Sequence, residues 1–154
     1  MKEPSWKKGR GKLGVFAPLV GQWRSSADTE MGRVTCVRQF EFVLNGKYVQ
    51  LDADWLIAEK NYRYQERCLF GPRPDKTLAF WSFTSDGKHS EGWLSAAPDI
   101  HPQALCFEAD MDAGRARQIY WPGIEGFFWA VESKNKKGWK RFVEHHYTSI
   151  APAN

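Results

Sequence analysis

The feature that most constrains this chain is an apolar/polar alternation of period two, cut by turn signals every several residues. Period two is the repeat of a pleated strand with one buried face, whereas an amphipathic helix repeats at 3.6. Asn45-Gly46, Asp86-Gly87, Asp112-Ala113-Gly114, Pro122-Gly123 and the stretch 135–138 punctuate hairpins. Strands are expected at 21–27, 34–44, 47–57, 62–71, 77–85, 88–95, 104–112, 115–121, 126–134 and 139–149. Short strands with tight turns build a sandwich or a barrel. The expectation is an all-β chain: one closed or nearly closed antiparallel up-and-down barrel of about ten strands. A short helical turn over 13–20, interrupted by Pro18, precedes it. Nothing divides the barrel into parts. Residues 1–12 read as a flexible basic tail, 13–150 as the barrel and 151–154 as a C-terminal tail.

Hairpin geometry fixes which residues share a face. A turn at Asn45-Gly46 pairs Leu44 with Lys47, and then Phe42 with Val49, Phe40 with Leu51, Arg38 with Ala53 and Cys36 with Trp55. That face is mostly apolar and the other polar, so it points inward. A loop at 58–61 continues the rows, placing Tyr62, Tyr64, Glu66, Cys68 and Phe70 inside. A turn at 113–114 sets Asp110 opposite Arg117 outside, with Phe107, Ala109, Gln118 and Tyr120 inside. The hairpin around Asp86-Gly87 sorts poorly, because both of its faces are apolar. The Trp81 face is taken as inner, with Gly92 making room for the ring.

Composition excludes several function classes. The chain has 154 residues and is 42% hydrophobic, with 8 Trp and 10 Phe, which is enough for one packed core. The net charge of +4 is concentrated partly in Lys7, Lys8, Arg10 and Lys12. Elsewhere bases alternate with acids, so no stripe fits a phosphate backbone and no nucleic-acid partner is expected. No apolar run reaches membrane-spanning length, and no membrane partner is expected. Cys36, Cys68 and Cys106 are far apart without a CxxC spacing, which argues against a metal site. Their odd number and the lack of a signal-peptide pattern point to reduced thiols in a cytoplasm. Gly-rich phosphate loops, Ser elbows and paired metal-ligand spacings are missing, so no cofactor is expected.

The segment Leu13 to Trp23 runs from a helical turn into Gly21-Gln22-Trp23. Glycine lets the first strand bend over a barrel end, and Trp supplies a large plug. This start resembles that of the calycins: lipocalins, fatty-acid-binding proteins and nitrobindin-like haem barrels. Strand number and order extend the likeness from Leu13 to Ile150, and the whole looks most like small bacterial calycin domains of unassigned function. The resemblance implies a basic residue from the last strand, Arg141 or Lys140, packed on Trp23. It also implies an internal ligand cavity. The lipocalin disulfide and the helix pair of fatty-acid-binding proteins have no counterpart here.

Candidate chemistry collects on the inner face. A lone buried guanidinium is costly, so Arg38 reads either as a clamp for a ligand anion or as a structural ion pair or ring stack. Glu66 is the second inward charge, as a general acid or base or as the partner of Arg38. Arg38, Ala53 and Glu66 form one row across three strands, about 10 Å from end to end. A charge-assisted hydrogen bond between Arg38 and Glu66 is expected over the small Ala53. Tyr64 and Trp55 would wall it, and Gln118 and Tyr120 add polar tips as pocket linings do. His145 and His146 alternate, so one of them faces inward, and His146 is the candidate ligand contact. The primary expectation is binding of a small amphipathic or hydrophobic molecule, with Arg38 near its polar group. One alternative is an enzyme using Glu66, a Tyr or His146 for proton transfer. Others are a haem barrel through His145 or His146, and an interaction domain with a filled interior. Open strand edges would permit an oligomer.

Overall fold

The computed structural model describes residues 3–150, so the expected C-terminal tail at 151–154 lies outside the described residues. Ten strands follow one another: β1 (Gly21–Thr29), β2 (Gly32–Val43), β3 (Tyr48–Ile57), β4 (Tyr62–Pro72), β5 (Leu78–Thr84), β6 (His89–Ser95), β7 (Leu105–Met111), β8 (Gly114–Gly123), β9 (Gly126–Asn135) and β10 (Gly138–Ser149). Each pairs antiparallel with the next, and β10 closes on β1. The closing seam is short, with Trp23 opposite Ser149 and Arg24 opposite Thr148. Among the described residues, closure at this seam joins the two end strands into a ring. No helix among the described residues is long and apolar enough to cross a membrane.

One end of the barrel is sealed by the chain that enters it. A 3-10 turn at Gly14–Leu19 buries Phe16 and Leu19 completely. Phe16 lies 4.9 Å from the Phe70 ring and stacks on Phe107 at 6.1 Å. Gly21 takes φ +132°, which an L side chain resists, and turns the chain into β1. Trp23 then donates from Nε1 to the Leu19 carbonyl at 2.7 Å and sets its edge against Phe127. The Gly-x-Trp signature thus binds the plug to the wall. The segment ahead of it, expected as a free tail, is docked at Trp6. Its N–H donates to Gln103 Oε1 at 2.8 Å, Gln103 Nε2 donates back to its carbonyl at 2.9 Å, and its ring packs on the core.

The β2–β3 and β3–β4 registers follow the turn chemistry: Arg38 faces Ala53, Ala53 faces Glu66, and Trp55 faces Tyr64. The β7–β8 faces are as expected, but the pairing is displaced by two residues. Asp110 lies opposite Arg115, not Arg117, and bonds it at 2.9 Å. The turn sits at 112–113, with Gly114 at φ +121° opening β8. A slip of two keeps every side chain on its face.

The β5–β6 hairpin reverses the expected face. Leu78, Phe80 and Ser82 point inward and Phe83 is exposed. Gly92 does make room for a ring, but for Phe80, which it opposes. A Cβ at Gly92 would lie 2.4 Å from Phe80 Cε2 and 2.1 Å from the Glu108 carbonyl oxygen. β10 carries an irregularity between Arg141 and Val143. Trp139 meets Arg117 on the outer wall, whereas Val143, His145 and Tyr147 join the interior. An inserted residue switches the face of the odd-numbered positions. It also puts Arg141 outside, 5.1 Å from the Trp121 ring, instead of on Trp23.

Gly92→Ala should therefore lower unfolding stability by about 1–3 kcal/mol through overpacking. Urea denaturation followed by Trp fluorescence measures it. A wild-type midpoint would contradict the close approach.

Candidate functional site

Opposite the plug, the barrel is open. A cavity of about 430 Å³ enters between the β5–β6 and β7–β8 turns. Its space comes from small side chains in register: Ala109 on β7 faces Ala116 on β8, which faces Ser133 on β9. Ser82 and Ser90 pair in the same way across β5 and β6. Phe80, Phe107 and Trp129 give the cavity its large apolar surface. Tyr64, Glu66, Ser82 and Gln118 bring polar atoms to it. Glu66 accepts from Ser82 Oγ at 2.5 Å, and Gln118 Oε1 lies 3.5 Å from Trp129 Nε1. The inserted Phe142 stands at the rim, 64% exposed. A largely apolar concavity with a few placed polar groups is the form of a small-molecule site.

Arg38 lies behind this cavity rather than in its wall. It is 1% exposed. Its Cζ lies 4.4 Å from the Trp129 ring centroid, with Tyr147, Tyr120 and Trp55 at 5.2, 5.7 and 5.9 Å. Nη1 donates to the Tyr120 hydroxyl at 2.6 Å. Nε and the Tyr147 hydroxyl are buried without a hydrogen-bond partner among the described residues. Burial pushes the Tyr120 hydroxyl far above the usual tyrosine range, against the pull of Arg38, so it remains a neutral phenol. Cation–π attraction therefore replaces much of the solvation that the guanidinium loses. The expected Arg38–Glu66 hydrogen bond is not made. The row is present, but Trp129 covers the guanidinium and Glu66 turns to Ser82. Arg38 itself is not among the residues that line the cavity.

The sequence-derived candidates thus fall into three groups. Glu66, Tyr64 and Gln118 line the cavity; Arg38, Tyr120 and Trp55 support it from behind. Gly21 and Trp23 belong to the sealed end. His146 and Arg141 are on the outer wall. His146 stacks on Phe128 at 4.6 Å and its Nε2 bonds the Ile124 carbonyl at 2.9 Å, so it points away from the cavity. Its neighbour His145 faces inward instead, with Nδ1 3.2 Å from Ser25 Oγ and its ring 5.0 Å from Trp55. Neither histidine lines the cavity. Arg141 joins an outer network in which Glu132 also holds Arg117, and Arg117 holds Asp99 at 2.7 Å. That network ties the 96–104 loop to the wall.

Sequence reasoning missed Trp129 and Ser82. Trp129 was discoverable from the alternation Phe127, Trp129, Val131 along β9. Its partner Arg38 was not, because the two meet across the interior. Among the described residues no group of three or more His, Cys, Asp or Glu could hold a metal. No protein-family model matches the sequence, and the search of curated proteins returned no match.

Two outcomes follow from burial. Desolvation, reinforced by Arg38, lowers the pKa of His145 below the ordinary imidazole value. The unfolded chain therefore binds a proton that the folded chain refuses, and stability falls as pH drops below about 6.5. His145→Asn should flatten the change in urea midpoint between pH 7 and pH 5. An unchanged slope would refute the assignment. Cys36, Cys68 and Cys106 are free and buried, and burial pushes the Cys106 thiol up to about 12. All three should resist Ellman's reagent in the native protein and all three should react in denaturant.

Proposed function

We propose that this chain is a binding barrel for a small amphipathic or hydrophobic molecule. The observation that carries the reading is the asymmetry of the interior. One end is filled by Phe16, Leu19 and the rings around them, while the other keeps an open cavity lined by rings and a few polar groups. A barrel evolved only as a filled scaffold has no need of the Ala109–Ala116–Ser133 row. A binding barrel does, because the row makes the space. The ten-stranded closed meander with a plugging turn supports placing the chain among the calycins. In this reading Arg38 acts through Trp129, holding the ring that the ligand meets. Proton transfer by Glu66 or Tyr64 remains the enzymatic alternative, without His146. The haem alternative draws no support, since neither His145 nor His146 reaches the cavity. The reading involves neither nucleic acid nor a membrane.

N-phenyl-1-naphthylamine, a neutral fluorophore, tests the reading. Wild-type protein should give a saturable rise in its emission. Ala116→Trp, which fills the cavity from β8, should abolish the rise while melting close to wild type. Equal binding by both proteins would place the probe elsewhere and remove the basis of the proposal.

A further inference from the structure

Besides Tyr64, six charged or titratable side chains border the cavity: Glu66, Asp86, Lys88, His89, Arg115 and Arg117. Five of them are engaged elsewhere or lie at the rim. Arg115 is held by Asp110 at 2.9 Å and Arg117 by Asp99 and Glu132, both at 2.7 Å. Asp86 accepts from Thr84 and from the Lys88 backbone, and Lys88 sits beside it. His89 packs against Phe83, which is itself exposed. Glu66 is different. It lies deeper, one pair along β4 from Tyr64, and forms no salt bridge among the described residues. Ser82 occupies one of its oxygens, and the other has no protein donor among the described residues. Arg38 feels the charge of Glu66 but makes no hydrogen bond to it: it bonds Tyr120 and lies over the Trp129 ring.

The cavity therefore offers a carboxylate whose one protein donor among the described residues is a hydroxyl, while the cations that border it are ion-paired or sit at the rim. An anionic group placed beside Glu66 would meet a like charge, with Arg38 turned to Tyr120 and Lys88 out at the rim beside Asp86. A carboxylate in a partly desolvated site is satisfied best by a charged donor. We infer that the molecule this barrel holds carries an amino group, bonded as an ammonium to the free oxygen of Glu66, with an aromatic or apolar body over Phe80, Phe107 and Trp129. The inference rests on the binding reading and adds to it the sign of the ligand's polar group. It reverses the anionic preference that an inward Arg38 alone would imply. The amphipathic aromatic amines are the class that fits. The volume of about 430 Å³ suits one or two fused rings with a short amine arm.

Three probes with one skeleton decide it: 1-naphthylmethylamine, 1-naphthoic acid and 1-methylnaphthalene. Titration at pH 7.5, read by quenching of Trp emission, should rank the amine first and the acid last, at least about tenfold apart. Glu66→Gln keeps an acceptor for Ser82 but loses the charge. It should weaken the amine about tenfold and leave the hydrocarbon unchanged. An acid that binds as tightly as the amine overturns the inference, as does an amine indifferent to Glu66→Gln. If that variant does not fold, the wild-type ranking alone decides. Hydrocarbon binding with no preference for the amine removes this inference and leaves the binding barrel standing. Failure of all three probes removes both.

Discussion

The guanidinium of Arg38 sits in the middle of the barrel with four rings around it and one hydroxyl to bond. That arrangement sets the terms for the rest of the interior. A charge buried to this degree is tolerable only where polarisable faces and a placed acceptor replace water. Trp129 supplies the closest face and thereby becomes the partition between a packed half and an open half. Below it lie Tyr120, Tyr147, Phe127 and Phe40, ring against ring. Above it the walls fall back to alanine and serine. The cavity is therefore a consequence of where the large side chains are spent.

The wall was more legible in the sequence than the lumen. The turn at Asn45-Gly46 fixed the register of β2 with β3, and the Arg38–Ala53–Glu66 row followed from pairing alone. Yet the row did not make the bond expected of it. Register describes neighbours along the wall, and Trp129 reaches Arg38 across the interior from β9, three strands away round the ring. Alternation also fails where both faces are apolar. Leu78 and Phe80 compete with Trp81 and Phe83, and only the cross-strand Gly92 decides for Phe80. In β10 the inserted Phe142 exchanges the two faces halfway along, so counting from either end misassigns the other. That single residue explains why Arg141 leaves the interior and why His145, not His146, enters it.

The outer wall has its own order. Glu132 is buried on the outside of the barrel and joins Arg117 to Arg141. Trp139 and Trp121 lie against those two guanidinium groups. The ion pairs are thus shielded by rings, a setting in which they contribute more than the median surface pair. Through Asp99 they hold the 96–104 loop, whose Gln103 in turn holds Trp6 at the sealed end. Plug and wall are connected by way of this exterior network.

The seam between β1 and β10 lends itself to a different kind of statement. Those strands meet only near Trp23 and Ser149, and both run to the plugged end of the barrel. Every other pair of neighbours in the ring is consecutive in the chain, most joined by short turns and β6–β7 by the 96–104 loop. The cyclic order of the staves is consequently independent of which stave the chain begins with. A circularly permuted barrel, with β10 linked to β1 and new ends cut at Asp86-Gly87, would traverse the same ring in another sequence. The seam would then become one more covalent hairpin, and the interruption in the ring would move to the lip of the cavity.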